Sequence, residues 1–226
     1  RFRVRFSSHT FDVTILTMSS MIGLALHAIT TSAVAAKPPH IWFILVDDLG
    51  FADVGFNRAT PDREVVSPAL NDIVKHGVLL ERHYVHKMCT PTRTSVQSGR
   101  LPVHVSTSLA NPEDPSCGVA QNMTGMATML KRAGYTSHFV GKWDAGMATP
   151  RHTPQGRGYT TSLNYFEHKN DFYTEKSMQT TCTGTTDLWD TDQPAFNLTN
   201  TGYEEYLFRD RMHKVCGGSL VAPSYS

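Results

Sequence analysis

A cysteine and an arginine lie one helical turn apart in the segment Cys89 to Arg93, which reads Cys-Thr-Pro-Thr-Arg. Thr90 followed by Pro91 is typical of a helix cap and a first helical residue, which predicts that Cys89 stands at a positive helix terminus. Such a terminus binds anions, and the Arg93 guanidinium is within reach of the same position. The segment therefore predicts an anion site beside Cys89. The alternative is a buried structural thiol with a surface arginine.

A second set of chemical groups follows two predicted strands. Asp47 and Asp48 come directly after the apolar run from His40 to Val46, and Lys142 follows a shorter β-rich run. Sites in layered α/β folds gather at the carboxyl ends of the strands, so one crevice is expected to hold two acids and a cation. Adjacent carboxylates are stabilised by a hard metal such as Ca²⁺ or Mg²⁺. On the dipeptide alone, a turn cap beside a solvated acid is the simpler interpretation.

Alternating strand and helix patterns position these groups. Apolar residues at helical spacing follow a Ser-Pro start and end at a glycine, and the runs between them are rich in β-branched and aromatic residues. This alternation predicts an α/β layered fold with a largely parallel sheet. The predicted strands are 40–46, 78–84 and 136–140, and the predicted helices run from Pro68 to a stop at Gly77, from Met126 to a stop at Gly134, and from Tyr203 to Lys214.

Three ordered motifs resemble those of type I sulfatases. The segment Cys89 to Arg93 matches their Cys-x-Pro-x-Arg signature, and His40 to Gly50 is similar to their opening strand with its Asp-Asp metal pair. Gly141-Lys142-Trp143 is similar to their Gly-Lys-Trp-His segment, and Gly156 to Tyr173 resembles the following stretch of arylsulfatase-B-like members. The resemblance, over about 38–211, implies an alkaline-phosphatase-like fold with a largely parallel central sheet flanked by helices, truncated to its amino-terminal part.

The resemblance also implies a role for each matched residue. A formylglycine-generating enzyme would oxidise Cys89 to an aldehyde, and a hydroxyl of its hydrate would attack the sulfur of a sulfate ester. Asp47, Asp48 and the modified Cys89 would be metal ligands, with Ca²⁺ as the expected ion and Mg²⁺ as the alternative. Arg93 would activate the attacking hydroxyl, and Lys142 would stabilise charge on the sulfate oxygens. The implied function is that of a sulfuric ester hydrolase acting on sulfated small molecules or glycans.

Several positions depart from the family pattern. Asp144 stands where the family has histidine after Gly-Lys-Trp, so this substrate-binding position holds an acid that would repel an anion if ionised. Gln97 replaces the usual leucine after the cysteine signature. Two further polar stretches are predicted to be an ordinary loop and a solvated turn rather than metal sites. They are His168 to Asp171, and the acids Asp187, Asp190 and Asp192.

The implied metal site is incomplete within this chain. Asp47, Asp48 and Cys89 are three ligand residues, whereas Ca²⁺ takes about six to eight oxygens. In the family, the remaining ligands and a second lysine and histidine lie further downstream. The resemblance thus implies a partial amino-terminal catalytic domain at 37–216 that is inactive by itself, followed by an irregular tail at 217–226.

The first 36 residues predict a leader. Its part from about 18 to 36 is apolar and ends in small residues before Lys37-Pro38-Pro39, as in a signal peptide. A buried first helix is the alternative. The run is too short to span a bilayer, so no membrane span is expected in the mature chain. The secretory pathway, with an extracellular or lysosomal destination, would make the sequons at Asn122 and Asn197 usable for glycosylation.

Composition restricts the remaining interpretations. The chain has 226 residues and a formal net charge of +1, which does not indicate a nucleic-acid partner. If Cys89 is catalytic, three cysteines remain, and an odd number implies a leftover thiol or a partner outside this chain. Two rival functions stay open: a phosphodiesterase or phosphonate hydrolase with the same formylglycine, and a degenerate, non-catalytic sulfatase-like binding protein.

Overall fold

The computed structural model describes residues 38–60, 63–105, 114, 116–179 and 182–217. They form two compact units that divide between Arg82 and His83. The predicted leader lies outside the described residues, and so does the predicted tail apart from Gly217.

The described part of the first unit contains one α-helix and two short 3-10 helices. Helix α1 spans Pro68–His76, as predicted, and the 3-10 helices span Phe51–Asp53 and Gly55–Asn57. The Ser67 hydroxyl accepts the backbone N–H of Gly55 at 2.8 Å and donates to Asn71 at 3.0 Å. Ser67 therefore joins α1 to the second 3-10 helix instead of capping α1 with its side chain.

The predicted strands at 40–46 and 78–84 are wrong, because neither stretch is a strand. The side chains of the first stretch are largely exposed, and Ile44 is 73% exposed. A strand is stabilised by backbone bonds to a neighbouring strand and by burial of its side chains. The apolar run has the residue types of a central strand, but no described residue pairs with it as a strand.

The second unit is built on a four-stranded sheet, with the order β1-β2-β3-β4. Only β1 and β2 are parallel, and the other two pairs are antiparallel. The predicted α/β class is confirmed, but the sheet is small and mixed rather than largely parallel. The strands are β1 (His138–Lys142), β2 (Thr161–Tyr165), β3 (Trp189–Asp190) and β4 (Gln193–Pro194).

Three helices accompany the sheet. Helix α2 spans Cys89–Ser98, α3 spans Met126–Arg132 and α4 spans Glu204–Val215. The predictions for α3 and α4 are confirmed to within about two residues. Strand β1 begins two residues later than predicted, because the backbone N–H of Tyr135 still bonds to the Leu130 carbonyl at the end of α3.

Two apolar clusters hold the second unit together. In one, Trp143 and Tyr159 pack with Ala127 of α3, and Trp143 lies edge-on to Phe139 at 5.0 Å between ring centroids. The other contains Leu163 and Tyr165 of β2, Phe208 of α4, Leu188 and Ala195. Strand β2 is thus buried along most of its length, which fixes the position of its carboxyl end.

The carboxyl ends of β1 and β2 emerge side by side. Lys142 pairs with Tyr165 in the parallel register, and the pairing continues beyond the strands. The Trp143 N–H bonds to the Tyr165 carbonyl at 2.9 Å, and the Asp144 N–H bonds to the Phe166 carbonyl at 3.2 Å. The residues that follow β1 and β2 are therefore brought together by the backbone.

Candidate active site

Helix α2 begins at Cys89, which is half-buried at the first helical position. Met88 precedes it in an extended conformation as the N-cap residue, so the prediction that Thr90 caps the helix is wrong. The Thr90 hydroxyl instead donates to Asp144 Oδ1 at 2.9 Å. Cys89 nevertheless lies at a helix amino terminus, where the helix dipole favours negative charge.

Arg93 is buried, so the interpretation of this residue as a surface cation is wrong. Its Nη1 donates to the backbone carbonyl of Lys142. The bond joins the second turn of α2 to the end of β1 and holds the guanidinium inside the second unit. Arg93 is therefore linked to Lys142 through the Lys142 backbone carbonyl.

Asp144 is the centre of a polar cluster with Thr90, Lys142 and His168. Its carboxylate is inaccessible to solvent, and its backbone is left-handed at φ 44°, a conformation that aspartate tolerates better than most residues. Lys142 Nζ lies 3.8 Å from Asp144 Oδ2. A buried carboxylate is stabilised by hydrogen bonds and a cationic partner, and Asp144 has both in Thr90 and Lys142. Both oxygens of the Asp144 carboxylate thus have a polar or cationic partner within the second unit.

His168 also contacts Asp144, so the prediction of an ordinary polar loop is wrong at this position. His168 Nδ1 lies 3.0 Å from Asp144 Oδ1, 3.1 Å from Oδ2 and 3.3 Å from Thr90 Oγ1. The side chain keeps one fifth of its surface exposed. Because His168 follows the end of β2 and Asp144 follows the end of β1, the parallel pairing explains their meeting.

Buried acids hold the loop that carries His168. Asp187 accepts the backbone N–H groups of Phe166 at 2.8 Å and Glu167 at 3.0 Å, and the Ser177 hydroxyl donates to Glu167. Burial raises the pKa of Asp187 to about 6. The prediction of a solvated turn is therefore wrong for Asp187. This residue is buried, and its carboxylate holds the backbone at both Phe166 and Glu167.

The other two acids of that predicted turn, Asp190 and Asp192, have different environments. Asp190 lies in β3 and forms an ion pair with Arg211 of α4, which lowers the pKa of Asp190. Thr191 and Asp192 form the turn between β3 and β4, and Asp192 is exposed as predicted. Of the three acids, only Asp192 has the predicted solvated environment.

Asp47 and Asp48 belong to the first unit. They form an exposed turn after residue 46, and Asp48 has a left-handed backbone at φ 52°. Their carboxylates are hard oxygen donors and fit Ca²⁺ or Mg²⁺ in kind, but two carboxylates supply fewer oxygens than Ca²⁺ takes. Among the described residues of either unit, no three His, Cys, Asp or Glu side chains converge as a metal site.

The comparison with known proteins identifies the family. The family model described as Sulfatase matches residues 39–215, most of the chain. This chain belongs to the sulfatase family. The resemblance to type I sulfatases, carried by the three motifs, is thereby confirmed.

Curated sulfatases share about a third of their aligned residues with this chain. Arylsulfatase J of Mus musculus is 32% identical over 179 residues, which is 78% of this chain and 29% of that protein. N-acetylgalactosamine-6-sulfatase of Homo sapiens is 32% identical over 130 residues, covering 54% of this chain and 23% of that protein. The chain therefore spans less than a third of the length of these relatives.

A solved structure supports the fold. Ps i-CgsB in complex with k-i-k-neocarrahexaose matches with a TM-score of 0.59 and 22% identity, covering 76% of this chain and 40% of that chain. The alkaline-phosphatase-like α/β fold of the sulfatases is thus confirmed for the part of it that this chain contains.

One departure of this sulfatase from the family signature has a structural reason. Gln97 is buried, and its Oε1 accepts the hydroxyl of Tyr159 at 3.0 Å. Burial raises the pKa of Tyr159 to about 12, so the phenol keeps the proton that it donates. The glutamine thereby ties the last turn of α2 to the aromatic cluster around Trp143.

Several residues named in the secretory-pathway prediction can be located in the structure. Asn122 and Asn197, the acceptor residues of the two sequons, are exposed. Cys117 is buried and Cys216 is exposed. Within the described ranges, no helix of this sulfatase is long and apolar enough to cross a bilayer.

Proposed function

We propose that the protein is a sulfuric ester hydrolase that cleaves sulfate monoesters with a formylglycine made from Cys89. The observation that carries the proposal is the position of Cys89 at the start of α2, with Arg93 buried one turn further on and held by Lys142. A nucleophile at a helix amino terminus, four residues before a buried arginine, is suited to a substrate that carries negative charge.

The residues of the second unit have separate tasks in this reaction. The hydrated aldehyde at position 89 supplies the oxygen that bonds to sulfur as the ester S–O bond breaks, and the aldehyde is restored when sulfate leaves. Arg93 and Lys142 oppose the negative charge on the sulfate oxygens. Because both side chains are buried, this charge is little screened by water.

Asp47 and Asp48 of the first unit would be ligands of a divalent cation. Ca²⁺ is favoured, with Mg²⁺ as the alternative, and the ion would supply Lewis-acid polarisation of a sulfate oxygen. The carboxylates are exposed on a turn and carry only part of a calcium coordination shell. Further oxygen ligands must come from outside this pair of carboxylates. Because the chain matches less than a third of the length of its relatives, we assign the activity to the complete protein.

The substrate is a sulfated small molecule or glycan. The matched relatives support this breadth, because their names include an N-acetylgalactosamine-6-sulfatase and a steryl-sulfatase. The leader pattern and the exposed sequon asparagines support a route through the secretory pathway to the lysosome or the exterior. The formylglycine-generating enzyme would act on Cys89 along that route.

Mass spectrometry of the tryptic peptide from Met88 to Arg93 tests the proposal. The protein is expressed through a eukaryotic secretory pathway, and a known sulfatase is expressed in parallel as the conversion control. We expect the Cys89 thiol to be replaced by an aldehyde. An unmodified cysteine, in a host that converts the control, would favour the degenerate binding protein.

Activity measurements separate the enzymatic rivals. The complete protein is assayed in parallel on sulfate monoesters, phosphate diesters and phosphonate esters that share one leaving group. We expect the sulfate ester to have the largest kcat/KM. A larger value for a phosphorus ester would identify a phosphodiesterase or phosphonate hydrolase that uses the same formylglycine.

A further inference from the structure

Four aromatic side chains form an exposed patch at the start of α4. Three of them surround Tyr203, with ring-centroid distances of 5.5 Å to Tyr173, 5.7 Å to Tyr206 and 6.2 Å to Phe172. We propose that this aromatic patch, which consists of Phe172, Tyr173, Tyr203 and Tyr206, binds sugar rings of a sulfated oligosaccharide. The inference rests on the proposed function and narrows its substrate from sulfate esters in general to sulfated glycans.

The first argument is the exposure of the rings. The accessible fractions of Phe172, Tyr173 and Tyr206 are 47%, 64% and 58%. Other aromatic side chains of the second unit, such as Trp143 and Phe166, are buried in its apolar cluster. Neighbouring exposed rings are unfavourable in water, and contiguous apolar area on a surface marks an interaction site. The aromatic patch is therefore a surface on which a partner is expected.

The second argument is that the backbone holds the rings in place. Asp171 Oδ1 accepts the backbone N–H groups of Tyr173 at 3.1 Å and Thr174 at 2.8 Å. The Glu204 N–H bonds to the Phe172 carbonyl at 2.8 Å, which joins this turn to the start of α4. A surface that is already ordered loses little conformational entropy when a ligand binds, so it suits a flexible ligand such as an oligosaccharide.

The third argument is the chemistry of the patch. Three of its four side chains are tyrosines, which combine flat apolar faces with hydroxyls that donate and accept hydrogen bonds. A pyranose ring has the same combination, with C–H groups on its faces and hydroxyls around its edge. Arg209 adds a cation, since its guanidinium carbon lies 4.9 Å from the centroid of the Tyr206 ring. Its ion pair with Asp210 is partly exposed and hence weak, so an anionic group of a glycan can replace that carboxylate.

The fourth argument is the distance to the candidate active site. The loop after β2 carries both His168 and Phe172. His168 Nδ1 lies 3.3 Å from the hydroxyl of Thr90, the residue that follows Cys89 at the start of α2. Four residues of chain span at most about 14 Å, so the patch begins within that distance of the His168 backbone. A ligand of a few linked sugar rings is long enough to place its sulfate at the site and other rings on the patch.

The test compares different sulfate esters on the double variant Tyr173→Ser with Tyr206→Ser in the complete protein. The substrates are sulfated hexasaccharides from chondroitin sulfate, heparan sulfate and a sulfated galactan, with an aryl sulfate and a steroid sulfate as references. We expect kcat/KM for at least one hexasaccharide to fall about tenfold more than kcat/KM for the aryl sulfate. The loss should lie mainly in KM, because the rings supply binding surface remote from the reacting sulfur.

A binding measurement makes the result independent of catalysis. The affinity for the same hexasaccharides is measured by calorimetry on Cys89→Ala, with and without the two serine substitutions. We expect the serine substitutions to raise Kd about tenfold. Tyr173→Phe with Tyr206→Phe retains both rings, so Kd should stay within about threefold of the unsubstituted value.

The matched control is Phe196→Ser, which removes an aromatic side chain that is 67% exposed but is not one of the four rings of the patch. The change leaves the sequon at Asn197 intact. We expect it to leave kcat/KM and Kd for the hexasaccharides unchanged. Melting temperatures show whether every variant is folded.

The outcomes separate this inference from the proposed function. If Cys89 of the unaltered protein is not converted, the proposed function fails, and the calorimetry still shows whether the patch binds hexasaccharides. If the serine variant loses no more activity on hexasaccharides than on the aryl sulfate, and no hexasaccharide affinity, the inference is overturned.

Two further results would assign the patch to another partner and overturn the inference. An equal loss for the steroid sulfate would identify a general apolar contact. A change of oligomeric state in sedimentation, with unchanged hexasaccharide affinity, would identify a contact between two copies of the protein.

Discussion

Two segments of the molecule reverse the usual relation between polarity and burial. In the first unit, the apolar run at 41–46 is largely exposed, and Ile44 has 73% of its surface accessible. In the second unit, the polar helix α2 is buried at most positions, including Thr94 and Arg93. Burial is therefore decided by the partners that each segment finds as well as by the hydrophobicity of its side chains.

Helix α2 can be buried because most of its buried polar side chains are hydrogen-bonded, with the Ser95 hydroxyl as an exception. The Thr94 hydroxyl donates to the Thr90 carbonyl, the Thr92 hydroxyl donates to the His86 carbonyl, and both distances are 2.8 Å. Buried polar groups with partners carry little desolvation penalty. The apolar run requires a different kind of partner, namely strands on either side, and no described strand pairs with it.

The largest effect that we expect from the buried polar region is a change of stability with pH. Glu204, at the start of α4, is inaccessible to solvent and accepts a bond from Asn170 at 2.7 Å, and burial raises the pKa of Glu204 to about 8. Between about pH 4.5 and 8 the folded state therefore binds more protons than the unfolded state. We expect the free energy of unfolding to fall as pH rises through this window, by roughly 2–4 kcal/mol.

Denaturant titrations at pH 5 and pH 8 measure this slope. The variant Glu204→Gln should remove most of it, because the amide resembles the protonated acid and retains an acceptor for Asn170. The exposed neighbour supplies the control, since Glu205→Gln should leave most of the slope in place. An unchanged slope in Glu204→Gln would show that Glu204 is ionised and solvated in the folded protein.

The Gln97–Tyr159 bond gives an intermediate test. We expect Gln97→Leu to destabilise the protein by about 1–3 kcal/mol, because the buried Tyr159 hydroxyl loses its acceptor. Replacing both partners, in Gln97→Leu with Tyr159→Phe, should recover most of that loss. Thermal denaturation of the four proteins in the cycle measures the coupling, and additive effects would show that the hydrogen bond does not stabilise α2.

The smallest expected effect is in the apolar run. Ile44→Thr should change the free energy of unfolding by no more than about 0.5 kcal/mol, as is usual for exposed positions. The buried comparison is Leu163→Ala in β2, which should lose about 2–5 kcal/mol. If Ile44→Thr approaches the effect of Leu163→Ala in a denaturant titration, the run is buried in the folded protein and the contrast with α2 is lost.

The same contrast explains which features the sequence could predict. Helices α1 and α3 were predictable because their start and stop signals are local, such as Pro68 at the first position of α1 and Gly134 after the last turn of α3. The strand at 40–46 was predicted from its residue types and from the family resemblance, and neither of these supplies a neighbouring strand. Strand β2 was missed because its residues, Thr-Ser-Leu-Asn-Tyr, include three polar side chains, and two of them, Ser162 and Asn164, become buried through tertiary contacts.

The candidate site divides in the same way. Cys89, Arg93 and Lys142 could be selected from motifs, and the structure joins Arg93 to Lys142 through a backbone carbonyl. His168 could not be selected, because its contact with Asp144 spans 24 residues and depends on the pairing of β1 with the unpredicted β2. The one signal for His168 was its position just beyond the end of β2. That signal requires β2 to be recognised as the neighbour of β1.

The parallel register of β1 and β2 has a consequence for how related chains can diverge. Asp144 meets His168 because Lys142 is aligned with Tyr165, so a slip of one residue would move the two side chains apart by about 3.3 Å and turn one of them to the other face. Insertions and deletions between residues 146 and 160 leave this alignment intact if the strands pair as before. An insertion or deletion within residues 143–144 or 166–167 would separate Asp144 from His168 in space. A sequence alignment would still match both residues to their counterparts. Divergence at this site is therefore constrained by spacing to the strand ends more than by the length of the connection between them.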